Sequence, residues 1–101
     1  MNKRNKIKFE IVEKEKYTIV KFKLDENLLP EDLLNLTPPE VVNTKGVVIS
    51  GRGPIWLYGY LIHHYHPVKF IATHDPRIGA IVIESHSNEH KVGEVLKVEK
   101  E

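Results

Sequence analysis

The sequence predicts a small α/β protein built on one mixed β-sheet, with the element order β-β-α-β-α-β-β-β. Three observations carry that prediction. Apolar and polar residues alternate with period two from Ile7 to Leu24, as they do in a half-exposed β-hairpin. A β-branched run, Gly46–Ser50, leads through a glycine turn into an apolar stretch of helical spacing, Pro54 to about Tyr65, the pattern of a buried strand followed by a crossover helix. Two more apolar runs, Val68–Thr73 and Gly79–Ser85, flank a turn containing Asp75-Pro76.

Taken in order, Ile7–Glu13 and Tyr17–Leu24 are the hairpin strands, joined by a charged turn at Lys14–Lys16. Their Lys and Glu residues belong to a solvated face. Asp25–Asn27 breaks the strand, and Pro30–Leu36 carries a proline and two acids in its first turn, signs of a short helix stopped by Pro38-Pro39. Pro39–Thr44 reads as loop. In the central helix Trp56, Tyr60 and His63 form one stripe and Leu57, Leu61 and His64 another. So few polar positions imply that sheet and a partner subunit cover most of its sides. Gly59 in mid-helix costs roughly 1 kcal/mol against alanine, which implies close packing there. Pro67 ends the helix. His86–His90 is a polar loop, Lys91–Val98 a last short strand, and Glu99–Glu101 a frayed end.

A chain of 101 residues makes one domain, 1–101, and buries only about two-thirds of its unfolded surface. That leaves little room for a deep private active site, so a site shared between subunits is expected. The net charge of +1 provides no overall field for DNA, and any anion site must be local. Absence of cysteine excludes disulfides and thiolate metal sites and fits a reducing, cytoplasmic setting. The basic start, Met1–Lys6, is followed by alternation instead of an apolar signal core, and no run approaches the ~18 apolar residues of a membrane span.

The chemistry concentrates around the glycine turn. Pro54 suits a first helical residue, and a helix opening there aims backbone N–H groups and a positive dipole end above the strand. Gly51 and Gly53 allow close backbone approach, and Arg52 adds a bidentate donor suited to phosphate. No Gly-Lys-Ser/Thr follows, and the third glycine of a dinucleotide fingerprint is missing. Taken alone, such a turn reads first as a plain strand–helix connection with Arg52 in solvent. A right-handed crossover would bring three groups together: this turn, the histidines His63, His64 and His66, and the Asp75/Arg77 turn. That set suits phosphodiester chemistry, since imidazole moves protons near neutral pH and guanidinium holds charge growing on phosphorus. An Asp with a neighbouring His also suits a divalent metal. The residues alone do not choose among the three histidines. The central strand–turn–helix is Rossmann-like, with ligands expected at the strand's carboxyl end.

Gly46–Leu57, followed by Asp75–Ala80 and Glu84–Ser87, resembles the third family of CRISPR-associated ring nucleases, accessory proteins of type III CRISPR systems. The matching blocks lie between Lys45 and Ser87. The resemblance implies a reduced CRISPR-associated Rossmann (CARF) fold and a manganese-dependent ribonuclease that opens cyclic tetra-adenylate, switching off antiviral signalling. Activity on short RNA 3′ ends is also implied. Homodimers would sandwich the ring in a ligand-driven tetramer. Asp75, Arg77 and His66 match its catalytic positions, His63 and His86 further site histidines, and Ser50 to Gly53 the ligand-binding turn. Asp75 would serve a Mn²⁺ ion or the imidazole, with His63 as a second metal residue. A binding module that holds an adenylate ring or RNA end without cutting it, and a purely structural protein, are the alternatives.

Overall fold

The alternation at the start of the chain folds into the expected hairpin. In the computed structural model, which describes residues 6–98, β1 (Ile7–Glu13) and β2 (Tyr17–Leu24) pair antiparallel, with Phe9 opposite Phe22 and Ile11 opposite Val20. Phe9 and Ile11 pack against the core, while Lys8, Glu10 and Lys23 are exposed. The expectations for Met1–Asn5 and for the frayed Glu99–Glu101 lie outside the described residues.

Two parallel crossovers build the centre of the sheet. The first joins β2 to β3 (Gly46–Ser50) and carries Pro30–Asn35, which is a 3-10 helix and not the α-helix expected over Pro30–Leu36. Asp32 explains the tighter winding. Its N–H bonds the Leu29 carbonyl at 2.9 Å, while its carboxylate accepts from the Leu29 N–H at 2.7 Å and from Lys6 at 3.1 Å. Pro38 and Pro39 then stop further turns. The second crossover is α1 (Ile55–His64), between β3 and β4 (Phe70–Asp75). Leu28 from the first crossover and Leu57, Leu61 and Tyr65 from the second share one core with Val20, Val47, Ile49 and Ile71. Both crossovers therefore cover the same face of the sheet.

β4 pairs antiparallel with β5 (Gly79–Ser85), and β5 with β6 (Val95–Leu96). The six strands lie in chain order, β1 to β6. This is a small single α/β domain with a mixed sheet and two short helices. The strand order never reverses, so the sheet has no switch point of the doubly wound kind; the Rossmann likeness is confined to β3, its turn, α1 and β4. On the face away from α1, Ile19, Val48, Phe70, Ala72 and Val82 form a second core, and the chain after β5 folds over it. There the His90 ring lies 4.3 Å from that of Phe70, and Leu96 and Val98 close the layer.

Four local expectations are corrected. β4 begins at Phe70 instead of Val68 because Val68 closes the end of the helix: it is buried, and its N–H bonds the Tyr65 carbonyl at 3.1 Å. The strand continues through His74 and Asp75, paired with Ala80 and Gly79, until Pro76 removes a donor. β6 has two residues instead of eight, since the Glu94 carboxylate takes the Lys91 N–H at 3.2 Å and Gly93 turns with φ +94°. Pro54 is extended (ψ 154°) and precedes the helix instead of opening it. Beyond its chain neighbours and its own helix backbone, Gly59 has no atom within 4 Å of where a Cβ would sit, and Ile55 is 87% exposed. The outer side of α1 is thus open in a single subunit. Among the described residues, no helix is long and apolar enough to cross a membrane.

Candidate functional site: a groove between α1 and β5

The turn after β3 is held from beneath by aromatic rings. Gly51 adopts φ +151°, and a Cβ there would lie 2.6 Å from the Phe22 carbonyl oxygen. At Gly53 a Cβ would meet the Phe22 ring at 2.9 Å. The two glycines thus let the turn lie on Phe22, a packing need that the sequence pattern does not display. Tyr58, one turn into α1, packs edge-on against Phe22 and donates its hydroxyl to the Gly51 carbonyl at 2.7 Å. Burial pushes the Tyr58 phenol above its usual value, so it stays a donor. Arg52 is exposed. No side chain caps the N-terminus of α1, leaving its first N–H groups to a ligand or to water.

Beside this turn, a hollow of about 510 Å³ opens between α1 and the ends of β4 and β5, with Gly51, Tyr58, His74, Asp75 and Arg77 on its walls. That volume lies within the range of ligand sites. Asp75 and Arg77 meet there as a fork. Asp75 Oδ1 accepts from the Arg77 backbone N–H at 2.9 Å and from Nε at 3.4 Å, and Oδ2 accepts from the terminal guanidinium nitrogen at 3.5 Å. The backbone bond first, then the guanidinium, holds the Asp75 carboxyl below its ordinary value. Arg77 remains 86% exposed and keeps donors for a second anion.

A second hollow, about 520 Å³, adjoins the first and is lined by Gly59, His63, His66 and Glu84. Ile62 and Ile83 border both, so the two make one groove along α1. The His63 and His66 rings stack with centroids 5.9 Å apart. His66 Nδ1 lies 3.1 Å from the His63 carbonyl oxygen. A carbonyl only accepts, so Nδ1 carries the hydrogen and a neutral ring has its lone pair on Nε2.

The other candidate histidines take separate places. His64 turns to the far side of α1, where its ring packs edge-on to Tyr65 and lines a different hollow with Glu40 and Asn43. His86 lines neither part of the groove; its Nε2 donates to the His66 carbonyl at 3.1 Å and fixes the loop that carries His66. Ser50, Arg52 and Gly53 flank the groove without lining it, while Gly51 does. Ser50 instead lies 3.3 Å, Oγ to Nδ1, from His74. The sequence pattern places His74 in a turn and so conceals that contact. Tyr58 was hidden among the apolar positions of the helix.

The two metal residues, Asp75 and His63, line different halves of the groove. Among the described residues, no three His, Asp or Glu side chains gather as a metal site. One subunit's residues therefore do not fit a manganese centre.

Comparison with known proteins follows the same residues. Positions 21–97 match the model of the family CRISPR-associated protein (Cas_csx3), a span containing every candidate above. An uncharacterized protein of Aquifex aeolicus (strain VF5) is 53% identical over 87 residues, covering 81% of this chain and 78% of the relative. With the family match extending from β2 to β6, the chain belongs to the Cas_csx3 family of CRISPR-associated proteins.

Proposed function

We propose that this protein is a ring nuclease that opens cyclic tetra-adenylate to linear oligoadenylate and so switches off type III CRISPR antiviral signalling, on a reduced CARF-type fold. The observation that carries the proposal is the shared groove: Arg77 and Asp75 on one part, His66 on the other, with Ile62 and Ile83 common to both.

The chemistry is attack by a ribose 2′ hydroxyl on its own 3′ phosphate. His66 Nε2, left basic by the bond from Nδ1 to the His63 carbonyl, takes the hydroxyl proton. The 2′ oxygen bonds to phosphorus, and Arg77 holds the negative charge that builds there. The bond from phosphorus to the 5′ oxygen breaks, and that oxygen leaves with a proton from solvent. The product is linear and ends in a 2′,3′-cyclic phosphate. Asp75 aims the guanidinium, while Arg52 and the open N–H groups of α1 hold a neighbouring phosphate.

The assembly belongs to the same proposal. Ile55, exposed at the start of α1, suits a homodimer contact, and a second dimer would close over the ring. Manganese, implied by the resemblance, would draw its donors from more than one subunit; no step above depends on it. Short RNA 3′ ends offer the same phosphate and ribose groups as a lesser substrate.

The test is to incubate purified protein with cyclic tetra-adenylate, with and without Mn²⁺, and to separate the products. Linear products ending in cyclic phosphate are expected. Tight binding without turnover would instead mark a module that holds the messenger, and neither binding nor turnover would end the proposal.

A further inference from the structure

We propose that the outer edge of β1 is a docking strand for a second copy of this chain, the two β1 strands pairing antiparallel about Phe9 so that one sheet runs through both copies. The contact does not depend on the proposed ring opening. β1 is an edge strand, separated by β2 from β3 and its turn, and among the described residues β2 is its only strand partner.

Hydrogen-bond phase decides which backbone groups that edge offers. The Asp25 N–H bonds the Lys6 carbonyl at 2.8 Å, and the Lys14 N–H bonds the Tyr17 carbonyl at 2.8 Å. These two bonds flank an unbroken register between β1 and β2. Bonded pairs alternate with unbonded ones in an antiparallel ladder, so Lys8, Glu10 and Val12 direct their N–H and C=O groups to β2. Ile7, Phe9, Ile11 and Glu13 direct theirs outward, where no other backbone group among the described residues takes them. Such an edge is a template for another strand.

Side chains select the partner and the register. Ile7, Phe9 and Ile11 lie on the α1 face, packed against its core but only partly buried. Lys8 and Glu10 are exposed on the other face. With Phe9 opposite Phe9 of the second copy, Ile7 falls opposite Ile11 and Lys8 opposite Glu10, each twice by symmetry. Lys8 and Glu10 then form an unbonded pair, the kind whose side chains come closest. Only slips of two residues keep the outward groups facing one another. One such slip sets Glu10 against Glu10 and the other sets Lys8 against Lys8, so the charges favour the register about Phe9. Within one copy Lys8 faces Lys23, while Glu10 faces Lys21; the second copy supplies an acid on the open side of Lys8. The Lys8 side chain is 72% exposed and lies 3.5 Å from Asp25, a surface contact of little weight. Charges of one sign would blunt an edge, whereas these make it complementary to itself.

Charge exchange tests the register, with mass read by sedimentation equilibrium and thermal melting as the check on folding. Wild-type protein should associate beyond the monomer. Lys8→Glu brings like charges together at both symmetric positions, as does Glu10→Lys. Each should raise the dissociation constant of the contact roughly tenfold. An equimolar mixture of the two variants should recover wild-type association, because a mixed pair has opposite charges at both positions. A second arm reads this contact apart from any association through α1. The chain has no cysteine, and an unbonded antiparallel pair brings its Cα atoms to about 4.5 Å, within disulfide range. Lys8→Cys mixed with Glu10→Cys should therefore give a disulfide-linked pair on mild oxidation. Association that neither charge variant weakens would overturn the proposal, as would weakened association that mixing does not recover. A failure to cross-link, or wild-type protein that stays monomeric throughout the concentration range, would overturn it too.

Discussion

His66 Nδ1 sits 3.1 Å from the carbonyl oxygen of His63, three residues earlier in the chain. That bond turns one ring nitrogen inward and leaves the other basic, and it exists because Pro67 ends the helix and the chain curls back over its last turn. His64, the residue after His63 and so about 100° further round the helix, lines a different hollow, on the other side of α1.

His66→Ala is therefore expected to slow ring opening by about 10²–10⁴-fold, the range of a general base, with His64→Ala close to wild type. Single-turnover rates at saturating protein measure both. A slower His64→Ala enzyme would move the proton-transfer role across the helix.

Arg52→Ala is expected to weaken adenylate binding by roughly 1.5–3 kcal/mol, the loss of one charge-assisted contact, without altering thermal melting. Arg52 is exposed and belongs to neither core. Equal calorimetric affinities for variant and wild type would take Arg52 out of the site.

Gly51→Ala tests the support beneath the turn. At φ +151°, with the Phe22 carbonyl 2.6 Å from the new Cβ, the substitution combines backbone strain of about 1–3 kcal/mol with a clash. Melting should fall by several degrees. An unchanged melting temperature would show that the turn does not rest on Phe22 in solution.

The Asp75–Arg77 fork has a pH signature. Its folded carboxyl lies below the ordinary aspartate value, first because of the Arg77 backbone N–H and then because of the side chain. A depressed acid stabilises the fold above its unfolded pKa of about 3.9, and that contribution is lost as pH falls through the lower folded value. Near neutral pH the fork is complete. Carbon-detected NMR titration should place the Asp75 midpoint below the usual range, and Arg77→Ala should recover only part of the shift because the backbone N–H remains. Full recovery would assign the effect to the guanidinium alone.

Activity should depend on assembly. If Arg52 of one dimer and Asp75 of another complete each site, mixing the Arg52→Ala and Asp75→Ala proteins should restore part of the activity that each has lost. Rate per subunit should also rise with protein concentration. Rates strictly proportional to protein, with no rescue on mixing, would mean that each dimer carries its own complete site.

The sequence by itself determined β1, β2, β3 and β5 to the residue, because period-two alternation and β-branched runs report burial directly. It also placed the helix after the glycine turn to within a residue, and it supplied every candidate at the groove except His74 and Tyr58. Tertiary structure decided the rest. The start of β4 moved because Val68 was needed at the helix end, a demand set by Tyr65 and the core rather than by local pattern. The glycines of the turn answer to Phe22, about thirty positions away in sequence. Which histidine faces the groove depends on rotation about the α1 axis, and a helix apolar on most sides does not encode that rotation in its pattern. The contact between Ser50 and His74 depends on parallel register across a crossover, which no local spacing can express.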